Sequence, residues 1–140
     1  MHRVIATQTV HAGGEVLEFI GELVDRPSKY SLQVGEDLHL LAPEGEPWRY
    51  LNHSCDPNAR MAGMKLLALR DIAPGDEVTF DYNTTEWAMA TPFTCGCGAC
   101  DGRLIAGFSR LSPREQADLE PRLADHLKDR ARLKERARGS

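Results

Sequence analysis

The residues best suited to chemistry in this chain are four cysteines, three of them clustered as Cys95, Cys97 and Cys100 and the fourth alone as Cys55. Thiolates are preferred ligands of zinc, and four of them complete its tetrahedral shell. The chain opens without a secretory pattern, so metal-bound thiolates are expected rather than disulfides. The spacing predicts a zinc site at these four residues, and the alternative is a group of reduced thiols without metal.

Two polar segments carry further reactive side chains. Residues 52–58, with the sequence NHSCDPN, combine amides, an imidazole and a thiol around a proline, and are typical of a tight polar turn. Residues 75–82, with the sequence GDEVTFDY, follow a proline and alternate as a strand does, so Phe80 and Tyr82 are predicted to face the same way. Two such rings can line a narrow apolar channel, or they can simply face a core.

Charge is unevenly distributed along the chain. Residues 1–101 carry 7 Lys and Arg against 15 Asp and Glu, whereas residues 102–140 carry 10 against 6. An acidic body attracts basic substrates such as lysine-rich segments, although a merely solvated acidic surface explains the composition at least as well. The basic end suits a solvated helix face better than a nucleic-acid site, so nucleic-acid binding is not expected.

Short strands joined by turns are predicted for most of residues 4–83, which makes the body mainly β. A hairpin turn is predicted at residues 35–37. The chain contains no apolar run of the roughly 18 residues that a membrane span needs, and we expect an intracellular, cytoplasmic protein. The predicted strands are residues 4–6, 15–20, 30–34, 38–41, 64–69 and 78–82.

The tail is predicted to be helical from Ser112 onward. Ser112, Pro113 and Glu115 supply the cap residue, first-turn proline and capping-box glutamate of a helix start. Pro121 should break or restart this helix. An apolar stripe at helical spacing should pack on the body, and it consists of Leu119, Leu123 and Leu127.

Together, the two polar segments and the cysteine cluster resemble the SET-domain protein lysine methyltransferases. The match is close over residues 49–58 and 72–82, and residues 93–108 resemble the cysteine-rich segment that follows many SET domains. The resemblance implies a SET-domain β-clip with a pseudoknot, a zinc-binding post-SET segment and a C-terminal helix. It implies a division into a SET domain (1–90), a post-SET zinc segment (91–108) and a helical tail (109–140).

The resemblance also implies roles for single residues. Asn52, His53 and Tyr82 are expected to contact S-adenosylmethionine, and Tyr82 is expected to be the catalytic tyrosine. Phe80 occupies the position that limits how many methyl groups are added. Tyr30, at the start of a predicted strand, is expected to line the lysine channel with Phe80.

The implied function is S-adenosylmethionine-dependent protein lysine N-methylation, with zinc as a structural metal. The expected partner is a protein substrate with a reactive lysine, such as a basic or histone-like protein. Residues 1–3, with the sequence MHR, stand where such families usually have Gly-x-Gly against the cofactor. The alternative is therefore a non-catalytic, zinc-stabilised SET-like module that binds proteins.

Overall fold

The computed structural model describes residues 3–139, and in the last helix it describes side chains through residue 132. Within these residues the body is built of short strands, and the α-helices lie in the tail, which confirms the mainly β prediction. The helices are α1 (Pro113–Leu119) and α2 (Asp125–Gly139). The strands are β1 (Glu15–Glu18), β2 (Glu22–Val24), β3 (Ser31–Gly35), β4 (Leu38–Leu41), β5 (Asn52–His53), β6 (Ala59–Ala62), β7 (Lys65–Ala68), β8 (Thr79–Phe80), β9 (Phe93–Thr94) and β10 (Leu104–Ile105).

The strands form four small sheets. One three-stranded sheet has the order β1-β7-β6 and another has the order β2-β4-β3, both antiparallel. The β3–β4 hairpin confirms the predicted turn, where Asp37 adopts a φ of 50°. β9 pairs with β10, and β5 pairs in parallel with β8. The parallel pair joins the two polar segments of the sequence.

The main core draws on both three-stranded sheets. Leu32 and Leu40 come from one sheet and Met61 and Leu66 from the other, and all are buried. Such burial of apolar surface is the main favourable contribution to folding. Phe80, the last residue of β8, belongs to the same core, so the second polar segment is anchored where the sheets share apolar surface.

The tail packs through a second apolar cluster. Ser112 caps α1, and Glu115 completes the predicted capping box. A 3-10 helix containing Pro121 separates α1 from α2, which confirms the predicted break. The predicted stripe is confirmed as well, because its three leucines are buried against the body, with Phe108 and Trp87 beside them. They are Leu119, Leu123 and Leu127.

The strand predicted through Tyr82 is too long. β8 ends at Phe80, and Tyr82 starts a 3-10 helix that runs to Thr84. The cause is Asp81, whose carboxylate accepts a hydrogen bond from the Asn83 N–H at 2.9 Å and caps the new helix. The strand predicted over residues 4–6 is also wrong in extent, since only an isolated bridge from Ile5 to Glu77 forms there.

The strands that were not predicted from the sequence are β2, β5, β6, β9 and β10. No described helix is long and apolar enough to cross a membrane. The division at residues 1–90, 91–108 and 109–140 stays a prediction.

Replacing Leu127 by Ala tests whether the tail is part of the folded unit. Leu127 is 0% exposed, so its truncation leaves a cavity and should lower the free energy of unfolding by about 2 to 5 kcal/mol. Leu104, 63% exposed, is the matched control, and Leu104→Ala should change stability by no more than about 0.5 kcal/mol. Denaturant unfolding measures both. Equal effects of the two substitutions would show that the tail does not contribute its own core.

Candidate active site and metal centre

The pairing of β5 with β8 brings the two polar segments side by side. Asn52 lies opposite Thr79 and His53 opposite Phe80, and the Ser54 N–H donates to the Phe80 carbonyl at 3.1 Å. Residues far apart in sequence therefore lie close to Tyr82, two residues after the end of β8.

Amide side chains hold this pairing in place. Asn58 donates to the Glu77 carbonyl and accepts from the Thr79 N–H, both at 2.9 Å, so it replaces strand hydrogen bonds beside β8. Asn52 donates to the Glu77 carboxylate at 2.7 Å. The buried Asn58 therefore has a structural role, as its ability to bond backbone groups predicted.

The imidazole of His53 lies behind Tyr82 and bridges two groups. Its Nδ1 accepts a hydrogen bond from the Tyr82 N–H at 3.0 Å, so the ring proton resides on Nε2, which lies 3.3 Å from the Cys55 Sγ. Burial is the main cause that lowers the pKa of His53, although the nearby Asp81 carboxylate opposes it. The imidazole is therefore neutral, with one accepting and one donating nitrogen.

Tyr82 is enclosed by rings and fixed by its hydroxyl. The hydroxyl donates to the Leu51 carbonyl. The ring centroid lies 5.0 Å from that of Phe80, 5.3 Å from that of His53 and 5.9 Å from that of Phe93. Burial, followed by neighbouring carboxylates, raises the pKa of Tyr82 to about 12. The phenol therefore keeps its proton at neutral pH and acts as a hydrogen-bond donor.

A cavity of about 610 Å³ opens in front of Tyr82. Four of the predicted site residues line it, and His53 does not, because its ring is buried behind Tyr82. Met1 and His2, the first residues of the segment that stands in place of Gly-x-Gly, lie outside the described residues. The predicted residues that line the cavity are Tyr30, Asn52, Phe80 and Tyr82.

Several lining residues were not predicted from the sequence. Phe93 closes the cavity beside Tyr82, and Glu86 contributes a carboxylate. Arg49 lies over the Tyr30 ring, with its guanidinium carbon 3.8 Å from the ring centroid, and donates to the Ala42 carbonyl at 2.9 Å. Arg49 and Phe93 begin segments that resemble the family, at residues 49 and 93, whereas Glu86 had no sequence signal.

The four cysteines come together beside this site. Their Sγ atoms all lie within 4.8 Å of one another, and the Cys55–Cys95 and Cys97–Cys100 separations are both 3.9 Å. None of the four forms a disulfide. The chain thus presents four sulfur ligands at one point, as the spacing predicted, and they are positioned to hold a metal ion.

Backbone N–H groups already favour a thiolate within this cluster. The N–H of Cys55 is the main cause that lowers the pKa of Cys97 to about 6, and the N–H of Ala99 acts in the same direction. Burial instead raises the pKa of Cys55. A bound cation lowers the pKa of coordinating thiols, so metal binding offsets the effect of burial. Gly98, with a φ of 83°, allows the chain to turn between the last two cysteines.

The tail supports the segment that follows Tyr82. Gly107 N–H donates to the Asn83 side-chain oxygen at 3.0 Å, and backbone carbonyls of the next residues accept further bonds from the tail. Gly107 is required here, because a Cβ at this position would lie 2.6 Å from the Trp87 carbonyl oxygen. The further bonds run from Ala124 to Thr84, His126 to Thr85, Phe108 to Glu86 and Ser109 to Trp87.

Arg122 adds an ionic contact from the tail. Its guanidinium lies 3.6 Å from the carboxylate of Asp81, which is 2% exposed. The Asp81 carboxylate also caps the 3-10 helix that begins at Tyr82. A buried carboxylate is costly unless it is paired, so the tail stabilises the turn that carries Tyr82.

Comparison with known proteins places these features in a family. A family model described as SET domain matches residues 2–83. Histone-lysine N-methyltransferase ASHH3 of Arabidopsis thaliana is 25% identical over 147 residues, covering 88% of this chain and 40% of that protein. An H3 lysine-36 specific histone-lysine N-methyltransferase of Yarrowia lipolytica is 34% identical over 125 residues, covering 71% of this chain and 16% of that protein.

A solved structure shows the same fold. It is the crystal structure of KRYPTONITE in complex with mCHG DNA and SAH, with a TM-score of 0.52 and 25% identity over 71% of this chain and 26% of that chain. The chain thus spans less than half the length of these relatives.

The tail contact at His126 predicts a pH dependence. Its Nε2–H donates to the Thr85 carbonyl at 2.7 Å, and burial is the main cause that lowers its pKa below the ordinary 6.5. The stability it contributes is present above pH 6.5 and is lost as the pH falls through the lower pKa of the folded state. Urea unfolding of the parent should show stability falling from about pH 7 to about pH 5, by at most about 1.4 kcal/mol per pH unit for this residue.

His126→Gln is the matched variant, because its amide keeps an N–H donor for Thr85 and does not titrate. Comparing it with the parent also removes the effect of acid on the cysteine cluster, which both share. The variant should lose stability less steeply with falling pH. Parallel pH profiles would contradict the role of His126.

Proposed function

Because the chain belongs to the SET-domain family, whose model matches more than half of its residues, we propose that it transfers a methyl group from S-adenosylmethionine to a lysine side chain of a protein. The observation that carries this proposal is the parallel pairing of β5 with β8. It brings Asn52 and Tyr82 to one cavity, together with the aromatic residues Tyr30 and Phe80.

The cavity suits S-adenosylmethionine in size and charge. Its volume of about 610 Å³ falls within the roughly 300 to 1,000 Å³ common for small-molecule sites. Lys29 and Arg49 line it and provide cations for the carboxylate of the methionine part. The KRYPTONITE structure was solved with SAH, which is S-adenosylmethionine without its transferable methyl group. We place Asn52 against the cofactor, with His53 acting from behind through Tyr82.

The residues of the cavity provide the conditions that methyl transfer needs. When bound, the cofactor supplies a methyl group on a sulfonium. Phe80, Tyr82 and Phe93 surround the approach with apolar surface, which favours the neutral form of an entering amine. The Tyr82 hydroxyl and the Leu51 carbonyl, already hydrogen-bonded to each other, present fixed dipoles to the reacting groups. Alignment of the methyl donor and the amine acceptor lowers the activation barrier by several kcal/mol, about 7 or more in favourable cases.

We propose that the cysteine cluster holds zinc. Zinc–thiolate bonds of about 2.3 Å in a tetrahedron place sulfur atoms about 3.8 Å apart. The Cys55–Cys95 and Cys97–Cys100 distances of 3.9 Å agree with that spacing. The ion would be structural, because four protein ligands leave no open position.

The proposed substrate is a protein with a reactive lysine, as the names of the histone-lysine methyltransferase relatives suggest. The acidic body favours basic partners. Each relative extends far beyond the matched part, so a histone-like substrate is proposed on chemical grounds. The same charge distribution supports the expectation that nucleic acid is not the substrate.

Metal content tests the zinc proposal. We expect about one zinc per chain by elemental analysis, and removal by a chelator should lower the melting temperature because binding energy contributes to folding. Cys100→Ser removes one ligand and should reduce zinc content, whereas Ala99→Ser, in the same loop, should not. A metal-free parent with four titratable thiols and unchanged melting would refute the proposal.

Two substitutions at the cavity test the catalytic roles. Tyr82→Phe removes one hydroxyl and should leave a folded protein with strongly reduced methyl transfer, because the hydroxyl dipole held at the Leu51 carbonyl is lost. Phe80→Tyr adds a hydroxyl that holds the amine or a water and crowds a methylated amine. We expect the parent to produce di- or trimethyl-lysine and Phe80→Tyr to stop earlier.

Mass spectrometry of a histone-like, lysine-rich peptide measures both effects. A parent that makes only monomethyl-lysine, or a fully active Tyr82→Phe variant, would show that these roles do not belong to Phe80 and Tyr82.

A further inference from the structure

Glu86 contributes a carboxylate to the reaction cavity. Among the described residues that line the cavity it is the one acid, and Phe80 and Tyr82 line the same cavity. Lys29 and Arg49 are the cations of the lining. A buried carboxylate in apolar surroundings needs a partner, and the substrate amine of the proposed reaction is a cation until it loses a proton.

The side chain of Glu86 is held in place from both ends. Its Oε2 accepts hydrogen bonds from the Gln33 N–H at 2.9 Å and from the Thr85 hydroxyl at 2.6 Å. Its own N–H donates to the Tyr82 carbonyl at 3.0 Å, and its carbonyl accepts from the Phe108 N–H. The carboxylate is therefore fixed relative to the Tyr82 turn and cannot swing away from the cavity.

The second oxygen of Glu86 remains available. Among the described residues no hydrogen-bond donor reaches Oε1, and this atom is not sealed from solvent as the unpartnered Nδ1 of His39 is. Because Glu86 lines the cavity, Oε1 is the atom open to a bound group there. Through its bond from Gln33, Oε2 connects β3 to the turn that follows Tyr82. Oε1 takes no part in this connection.

We propose that Glu86 is a further catalytic residue, which accepts the proton that the target lysine ammonium must lose before methyl transfer. The inference rests on the proposed lysine methyltransferase function. One N–H bond of the ammonium breaks and its proton moves to a Glu86 oxygen, which leaves a lone pair on nitrogen. That pair forms the new N–C bond as the S–CH3 bond breaks and its electrons remain on sulfur. Glu86 then returns its proton to water.

The protonation behaviour of Glu86 fits this task. Burial is the main cause that raises its pKa to about 7, and the bonds from Thr85 and Gln33 oppose the rise only in part. A proton acceptor works best when its pKa lies near the working pH.

The groups around Glu86 do not duplicate this acceptor. Burial raises the pKa of Tyr82 to about 12, so the phenol holds its own proton. His39, across from Gln33 on β4, and His126 on α2 are not among the residues that line the cavity, and burial lowers the pKa of both, which makes them weaker bases. The charged and titratable neighbours contributed by the packed elements are Lys29, Tyr30, His39, Arg49, Tyr82, His126 and Arg130.

The sulfonium of S-adenosylmethionine is a second cation that Glu86 would attract. It carries no proton to transfer, so it does not use an acceptor with a pKa near 7. Binding of probes with different charges at the reacting position shows whether Glu86 faces a cation there, and the pH profile of methyl transfer at saturating S-adenosylmethionine separates the two cases. Sinefungin has CH–NH2 in place of the sulfonium S–CH3, and S-adenosylhomocysteine is neutral at that position.

Calorimetric titration of the full chain with these probes tests the inference at about pH 6 and about pH 8. The ionised fraction of a group with a pKa of about 7 rises from about one tenth to about nine tenths over this range. The affinity for sinefungin relative to S-adenosylhomocysteine should therefore rise several-fold, up to about ninefold, in the parent. Glu86→Gln keeps an acceptor for Gln33 and Thr85 and should show no such rise.

Methyl transfer to a lysine-rich peptide provides the second readout. Between about pH 6 and pH 8, kcat/KM of the parent should rise more steeply than that of Glu86→Gln, which should be at least about tenfold slower near pH 8. Glu22→Gln, at an exposed carboxylate on β2, is the matched control and should behave as the parent. Equal pH profiles for Glu86→Gln and the parent would overturn the proposal.

Other outcomes are equally decisive. If Glu86→Gln weakens S-adenosylmethionine against S-adenosylhomocysteine without changing the pH profile of methyl transfer, Glu86 faces the sulfonium and is not the proton acceptor. If the parent binds the probes but methylates no peptide, the proposed function fails, while the sinefungin comparison still decides whether Glu86 faces a cation in the cavity. A parent that binds none of the three probes overturns both.

Discussion

The site depends on the two hydrogen bonds made by the imidazole of His53. A neutral ring has one accepting and one donating nitrogen, and both are used: Nδ1 accepts from the Tyr82 backbone and Nε2 donates to Cys55. The ring is 2% exposed, so an unmet nitrogen would be costly. Cys55 and Tyr82 are therefore fixed relative to each other, and the cysteine cluster and the cavity form one structure.

Three segments outside this pair complete the same arrangement. The cysteine-rich segment supplies Phe93 to the cavity and the remaining three thiols to the cysteine cluster. The tail holds the turn after Tyr82 through backbone hydrogen bonds and through the Arg122–Asp81 contact. The family model ends at residue 83, yet these later residues position the tyrosine that the model includes. The proposed active site thus depends on residues beyond the part that the family model matches.

Local chemistry explains which features the sequence predicted. Cysteine ligands must lie close together, so Cys95, Cys97 and Cys100 were recognisable by spacing, and Ser112 marked the helix start by its cap. The strand through Tyr82 was predicted wrongly because alternation was followed past Asp81, whose capping side chain ends β8.

Tertiary contacts explain what the sequence did not predict. Glu86 meets Gln33 across 53 positions of chain, and no local pattern encodes that contact. Arg122 likewise looked like an ordinary basic residue of the tail. The roles of Asn52, Phe80, Tyr82 and Tyr30 stay predictions, although all four line one cavity.

Calorimetric titration of S-adenosylmethionine into zinc-loaded and chelator-treated protein, both checked as folded by circular dichroism, tests the coupling through His53 most directly. Metal removal should weaken binding by about tenfold or more, since a displaced buried partner costs about 1 to 3 kcal/mol. Equal affinity in the two forms would contradict the coupling.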